Sequence, residues 1–224
     1  MALQTCTIAG ITVPDTPLIT RAMTFARSHL SDRFYNHIVR SFLFSSIIAS
    51  SRPDFASLDH EVIALSTILH DMSWSDKSGG CHFSSKDKRH EVDSANAARD
   101  FVREHTMGME NDWDNHRFQL IWDAIALHGI NSIWRHKEAE VVVVGMGISA
   151  DFSGPGSTST PEGLPTQEQW DAVVKDFPRL GLTDGVIELF SAFCRDKSET
   201  TYEDINLVRV GEAFVDGYST EGKT

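Results

Sequence analysis

The adjacent pair His70-Asp71 closes an apolar segment and constrains the fold more than any other feature of the sequence. Leu69 precedes the pair and Met72 follows it, so both polar side chains stand among apolar neighbours. A buried carboxylate costs several kcal/mol unless it is paired, hydrogen-bonded or bound to a cation. The fold must therefore bring other polar groups to this pair. For Asp71 alone, hydrogen bonding at a helix end and metal binding are equal alternatives.

Helix signals follow one another along most of the chain. Thr16-Pro17 places a capping hydroxyl before a proline that suits a first helical turn. Thr166 and Gln169 have the spacing of a capping box, and Thr183 can cap a further helix. Together with apolar residues at helical spacing, these signals predict helices at about residues 17–30, 31–47, 57–70, from 85 onward, 114–127, 166–177 and 183–197.

The segment Val141–Val144 is open to two interpretations. Its β-branched residues are typical of a strand, whereas the neighbouring Gly145 and Ser149 suit a tightly packed helix. Since no partner strand is visible elsewhere, we predict a helix. The predicted fold class is all-α, with a single domain over residues 1–224 and a core from about residue 17 to about residue 215.

Charge and composition restrict the partners and the compartment. The 224 residues carry a formal net charge of -12, which repels phosphate backbones and anionic lipids, so we expect neither nucleic acid nor a membrane as a partner. Residues 1–14 lack the pattern of a signal peptide, and three dispersed cysteines imply no disulfide framework. We therefore expect a cytoplasmic protein, and a homo-oligomer is compatible with the sequence.

Three more polar residues, His37, His128 and Asp151, occupy inward helix faces or the ends of apolar segments. Taken alone, either histidine is better explained as a core residue bonded to a backbone carbonyl. Taken together with His70-Asp71, imidazole and carboxylate groups on separate inward faces need a common reason. Mixed histidine and aspartate ligands suit zinc, iron or manganese rather than calcium.

These residues also carry a resemblance. His37, His70-Asp71 and Asp151 reproduce the H…HD…D pattern of the HD-domain superfamily, all-helical metal-dependent enzymes that are mostly phosphohydrolases. The similarity covers about residues 17 to 215. Within that superfamily the chain looks like the cyanamide hydratase-like HD proteins of fungi in five segments, which are Tyr35-Asn36-His37, Leu69-His70-Asp71, residues 91–101 (EVDSANAARDF), Ala126-Leu127-His128 and Ala150-Asp151-Phe152.

The resemblance implies an HD-domain helical bundle in which His37, His70, Asp71 and Asp151 hold a metal, usually zinc. Such a metal would lower the pKa of a water molecule to about 7. The resulting hydroxide would attack the carbon of a small nitrile such as cyanamide. His128 is then expected to donate a proton to the nitrile nitrogen, which makes His128 and Asp71 the catalytic residues. The partner is a small-molecule substrate.

His90 departs from the pattern of that family, in which we expect phenylalanine. With His128 it completes the H…HD…H…H…D pattern of two-metal HD enzymes, where the counterpart of Asp71 bridges two irons. Two interpretations stay open: His90 and His128 hold a second metal in a dinuclear-iron oxygenase, or His90 lines the substrate pocket together with Trp74. We favour the pocket and one metal ion.

Further alternatives rank lower. A phosphohydrolase is third, because no cluster of arginine and lysine suited to bidentate phosphate recognition is visible. A protein that keeps the site only for structure or ligand sensing is the non-enzymatic alternative. Cys81-His82 is interpreted as a plain loop, Glu91 and Asp93 as a helix face, and four tryptophans as core or pocket walls, namely Trp74, Trp122, Trp134 and Trp170.

Overall fold

Helices build most of the chain, as the sequence predicts. The computed structural model describes residues 3–77, 82–108, 112–156 and 164–223, and within them one two-stranded sheet accompanies the helices. The helices are α1 (Pro17–His29), α2 (Asp32–Ala49), α3 (His60–Leu69), α4 (His90–His105), α5 (Asn115–Ala126), α6 (Asn131–Trp134), α7 (Ala139–Ser153), α8 (Gln167–Asp176), α9 (Leu182–Asp196) and α10 (Ile205–Phe214). Short 3₁₀ turns lie at Pro53–Phe55, Met72–Trp74 and Ser198–Thr200.

Capping side chains begin several helices where the sequence predicts them. The hydroxyl of Thr16 accepts a hydrogen bond from the backbone N–H of Ile19 at 3.2 Å, which satisfies a free donor of the first turn of α1. Thr166 and Gln169 form the reciprocal capping box of α8. The segment Val141–Val144 lies inside α7, so the helical interpretation is confirmed.

Two predicted helix starts are too early in the chain. Helix α3 begins at His60, because the carboxylate of Asp59 caps it. Helix α4 begins at His90 and not near Ser85. The backbone N–H and the hydroxyl of Ser85 both donate to the carboxylate of Asp93, each at 2.8 Å. The residues before His90 therefore form a loop that is tied to the first turn of α4.

The N-terminal hairpin was not expected. Strand β1 (Thr5–Ile8) pairs antiparallel with β2 (Ile11–Pro14), so the expectation that no partner strand exists is wrong for this part of the chain. The turn consists of Ala9 (φ 49°) and Gly10 (φ 78°). Positive φ at both central residues is the geometry of a tight hairpin turn that matches the twist of the strands.

The C-terminal part also differs from the prediction. Thr183 does not cap α9, which begins at Leu182 after Gly181 in the left-handed region. Helix α10 was missed altogether, so α9 is not the last helix. The carboxylate of Asp204 caps α10 by accepting the backbone N–H groups of Asn206 and Leu207.

Helix α2 is the central element of the bundle. Its residues from His37 to Ala49 are all buried, and it packs most extensively against α7 and α3. Gly147 permits the close approach of α7, because a Cβ there would stand 2.7 Å from the backbone nitrogen and 2.8 Å from the Cα of Ser45. This packing sets the C-terminal end of α7 beside the N-terminal half of α2.

Buried apolar side chains form one cluster that extends from Val13 of β2 to Leu207 of α10. Around it the end of α3, the middle of α2 and the end of α7 meet, which brings His37, His70-Asp71 and Asp151 into one region. In the part of the chain that the structure describes, no helix has the length and apolarity needed to cross a membrane.

Candidate metal centre

Three of the predicted ligands converge at one buried point. His37 comes from α2, and His70 and Asp71 follow the last turn of α3. His37 and His70 are 0% exposed and Asp71 is 1% exposed. Each offers one ligand atom, and these atoms lie within 4.8 Å of one another. The structure thus places two imidazoles and a carboxylate where the sequence predicts a metal site.

The Nδ1 atoms of both imidazoles are held by acceptors of the protein. His37 Nδ1 donates to Asp151 Oδ2 at 2.6 Å, and His70 Nδ1 donates to the backbone carbonyl of Thr67 at 2.8 Å. A neutral imidazole with its proton on Nδ1 has a lone pair on Nε2. The two Nε2 atoms stand 3.2 Å apart, so two lone pairs face each other unless a proton or a cation lies between them.

Asp71 adds negative charge to the same point. Its Oδ2 lies 3.0 Å from His70 Nε2 and 3.3 Å from His37 Nε2. Within the described residues neither carboxylate oxygen of Asp71 has a hydrogen-bond partner, although both are buried. An orphaned buried carboxylate is costly. A divalent cation would satisfy it, and two imidazoles with a carboxylate suit zinc or iron.

The electrostatics of the cluster favour positive charge. Burial opposes the charged form of Asp71, but the positive charge that His70 and His37 carry when protonated outweighs it and holds the pKa of Asp71 below its ordinary value. Burial likewise opposes protonation of His37, yet its hydrogen bond to Asp151 and the negative charge of Asp71 raise its pKa. Both shifts indicate that the surroundings favour positive charge at the point where the three residues meet.

His128 lies beside this group with its own lone pair directed at it. Its Nδ1 donates to the backbone carbonyl of Ile125 at 2.7 Å, and its Nε2 is 3.9 Å from Asp71 Oδ1. Burial and the charge of His70 lower the pKa of His128 to about 4, against the opposing effect of Asp71. At neutral pH the His128 ring is uncharged. It therefore carries no proton on Nε2 at rest and must accept one before it can act as the donor that the sequence predicts.

Asp151 occupies a different place from the one expected for a direct ligand. Arg40 donates to both carboxylate oxygens, from Nε to Oδ1 at 2.6 Å and from a terminal nitrogen to Oδ2 at 2.7 Å. Oδ2 also accepts from His37, and Arg179 donates to the backbone carbonyl of Asp151. Asp151 thus stands behind His37 and orients it, as carboxylates do behind metal-binding histidines.

The pKa of Asp151 reflects these contacts. Burial opposes ionisation, but hydrogen bonds from Arg40 and His37 lower the pKa to about 2. The sequence contained one signal for this arrangement. Arg40 follows His37 by three positions in an otherwise apolar helix, and a guanidinium buried there needs a buried acid.

His90 lines the cavity beside the centre, and one of its ring nitrogens accepts a hydrogen bond. Trp74 donates from its indole N–H to His90 Nδ1 at 3.3 Å. The proton of a neutral ring is then on Nε2, which lies 3.5 Å from Glu91 Oε2. The ring also stacks on Phe193, with centroids 5.4 Å apart and planes at 14°. In this arrangement His90 has no free lone pair for a metal.

Glu91 and Asp93 lie on a face of α4, as predicted, but this face is buried. Glu91 is 0% exposed and Asp93 is 5% exposed. Arg89 donates to Glu91 at 2.5 Å and to Asp204 at 3.0 Å, while Lys197 pairs with Asp93 at 3.0 Å. Burial is outweighed by the charge of a protonated His90 and by Arg89, so the pKa of Glu91 falls to about 2.

His90, Glu91 and Asp204 form a second group of ligand types within 4.8 Å. Arg89 already bridges the two carboxylates of this group, and its positive charge occupies the position that a cation would need. The sequence did not reveal this cluster, because Asp204 lies more than a hundred residues after Glu91 and precedes a helix that was missed.

A cavity of about 940 Å³ lies over the metal centre. Its lining includes His37, His70, Asp71, His90 and His128. Trp74 also lines it, so this tryptophan is a pocket wall as predicted. The other three lie elsewhere: Trp122 bonds Asn96, Trp134 packs under Gly145 and Trp170 stacks on Phe44.

The Cys81-His82 loop stays apart from this site as far as the structure describes it. Cys81 lies outside the described residues, and the ring of His82 is near His29, with centroids 6.3 Å apart.

No family model and no curated protein matches the chain. The functional argument therefore depends on the geometry of the centre and on the chemistry of its residues.

Proposed function

We propose that the protein is a metal-dependent hydratase of nitrile-like compounds, with one metal ion held by His37, His70 and Asp71. The observation that carries the proposal is the set of buried acceptors that meet without a donor, namely two Nε2 lone pairs and the orphaned carboxylate of Asp71. They line a cavity large enough for an organic substrate. The resemblance to the cyanamide hydratase-like HD proteins supplies the reaction class.

Zinc is the metal we propose, and iron is the alternative that the same donor set accepts. When bound, such an ion supplies a water molecule with a pKa near neutrality and polarises the group to be attacked. Asp151 and Arg40 hold the ring of His37 so that Nε2 points at the centre. The carbonyl of Thr67 does the same for His70.

His128 moves the proton in this scheme. Hydration adds one water across the carbon–nitrogen triple bond, so a proton leaves the oxygen and the nitrile nitrogen gains one. The free lone pair on His128 Nε2 accepts the first proton, and the resulting imidazolium returns it to the nitrogen. The product tautomerises to the amide. His128 is therefore a base before it is an acid.

The nitrogen atoms of His90 support a single metal. A dinuclear-iron oxygenase needs His90 and His128 as ligands of a second ion. The indole N–H of Trp74 occupies Nδ1 of His90, and the proton of the neutral ring occupies Nε2, which lies 3.5 Å from Glu91. A second ion would have to break these contacts and displace the charge of Arg89, which is already bound to Glu91.

Charge in the cavity argues against a phosphohydrolase. Phosphate recognition needs free guanidinium or ammonium groups. The charged residues that line the cavity are four carboxylates and two guanidinium groups, namely Asp71, Glu91, Glu203, Asp204, Arg89 and Arg209. Arg89 is bound to two of the carboxylates. The lining thus suits an uncharged substrate better than a phosphate ester.

The proposal is tested by nitrile hydration. Zinc-loaded protein is expected to convert at least one member of a panel of cyanamide, acetonitrile and benzonitrile to the hydrated product, measured by proton NMR or chromatography. His128→Gln is expected to retain zinc and to lower kcat by about 100-fold or more, because proton transfer typically contributes about 10²–10⁴-fold. His136→Gln, at an exposed position, is the matched control and keeps full activity. Absence of product from fully metallated protein would reject the hydratase and favour the sensor.

Metal content tests the number of ions. Purified protein is expected to hold one metal ion per chain by elemental analysis, and His90→Phe is expected to hold one as well, because His90 has no free lone pair. The variant should change substrate preference, since His90 lines the cavity. Two ions in the unmodified protein and one in His90→Phe would replace the hydratase with the dinuclear alternative.

A further inference from the structure

The cavity above the metal centre is far larger than the smallest nitriles require. Its volume of about 940 Å³ lies near the upper end of the roughly 300–1,000 Å³ that hold drug-sized ligands. A molecule as small as cyanamide would leave most of this volume to water. It would then be held by its contacts at the metal end alone.

Apolar side chains of α9 and α10 form one wall of the cavity, beside the polar residues Thr183, Glu203, Asp204, Asn206 and Arg209. Helix α9 contributes Val186, Ile187 and Phe190, and α10 contributes Val210. Phe190 also meets the ring of Trp74 edge to face, with centroids 5.9 Å apart and an interplanar angle of 82°. An apolar substrate would bury these side chains and so gain binding free energy, whereas a small polar substrate would bury little of their surface.

A further apolar side chain extends the wall to the mouth of the cavity. Phe152 is 49% exposed, and its ring lies 4.9 Å from that of His37 between centroids. A large aromatic side chain that is half exposed beside a buried polar centre is a surface that a ligand can cover. The apolar wall therefore extends from the metal ligands to solvent.

We propose that the substrate is a nitrile with an apolar body, such as an aryl or branched alkyl group, that lies against Trp74, Phe190 and the α9–α10 wall. The inference that the substrate is a nitrile rests on the proposed function, whereas the inference that it has an apolar body rests on the cavity alone. Because apolar stabilisation grows with the area removed from water, a ligand with a ring binds more tightly than its methyl counterpart.

Calorimetric titration with two uncharged amides, benzamide and acetamide, tests this inference without turnover. Protein as purified, with its metal content measured, is expected to bind benzamide about tenfold or more tightly than acetamide. Val210→Trp fills the cavity and should weaken benzamide binding by about tenfold or more. Val208→Trp, on the same helix but outside the cavity lining, is the matched control and should leave binding unchanged.

A second variant, Val186→Phe, fills the cavity from α9 and guards against misfolding of the first. Circular dichroism and metal content show whether each variant folds. Equal affinity for the two amides, or equal effects of the substitutions at 208 and 210 in folded proteins, would overturn the inference even if cyanamide is hydrated. Selective benzamide binding in a protein that hydrates no nitrile keeps the apolar site and rejects only the proposed reaction.

Discussion

The proposed metal centre predicts that protein with Asp71→Asn binds little or no metal. Asp71 supplies the negative charge among the three converging ligands, and both of its oxygens are buried without a hydrogen-bond partner in the described structure. Substitution of residues behind a ligand typically costs 10–100-fold in metal affinity. Removal of a direct ligand should therefore cost about 100-fold or more. The measurement is elemental analysis after dialysis, together with a competitive zinc titration.

The same variant changes the pH dependence of stability in metal-free protein. The folded-state pKa of Asp71 lies below its ordinary value of 3.8, so its stabilising contribution is present above that value and is lost as pH falls. The free energy of unfolding should be lower in Asp71→Asn than in wild type at neutral pH, and the two values should converge in acid. Asp184→Asn, at an exposed position on α9, is the control. Full metal occupancy in Asp71→Asn would show that Asp71 is not a metal ligand and would contradict the assignment of the metal centre to this site.

Arg40→Met is expected to lower the free energy of unfolding by about 3–5 kcal/mol, since a buried ion pair that loses one partner leaves an uncompensated charge. Arg40 and Asp151 are both 0% exposed. Arg40 also donates to the backbone carbonyls of Phe177 and Pro178 at 3.0 and 3.3 Å. Urea denaturation measures the effect.

The exposed pair Arg27–Asp32 provides the control for this experiment. Its atoms are 2.7 Å apart, but the two side chains are 48% and 65% exposed. Arg27→Met should therefore cost no more than about 1 kcal/mol. The double variant Arg40→Met/Asp151→Asn should lose less than the sum of its single variants, because the second change removes the stranded charge. Strict additivity, or a loss as small as that of Arg27→Met, would contradict the role of the pair.

Metal content distinguishes two roles for Asp151, which are orienting His37 and binding the metal directly. If it orients His37, Asp151→Asn retains one metal ion with affinity weakened by about 10–100-fold. The contact at 2.6 Å between His37 Nδ1 and Asp151 Oδ2 supports this arrangement.

The helical fold and the converging ligands could be predicted from local signals. Capping residues such as Thr16 and Thr166 act within one turn of the chain, so they are readable without the tertiary structure. His70 and Asp71 are conspicuous because they close an apolar segment. The hairpin at Ala9-Gly10 was missed because four-residue strands carry little periodicity.

The contacts that orient the imidazoles were beyond local inference. His70 and His128 each donate to a carbonyl three residues earlier, at the end of a helix where carbonyls lack intrahelical partners. A backbone carbonyl leaves no mark in the sequence. The position of Asp151 depends on the packing of α7 against α2. The position of Glu91 depends on Asp204, which caps a helix that was not predicted.

The chain order of the cavity residues separates reactivity from selectivity. The proposed metal ligands and His128 all precede residue 130, whereas the apolar wall of α9 and α10 comes from residues 186–210. Changes of side-chain volume in that later stretch can accumulate without touching a ligand of the ion. Under the proposed function, a lineage of such proteins can therefore change its substrates through substitutions in α9 and α10 while its metal ligands stay the same.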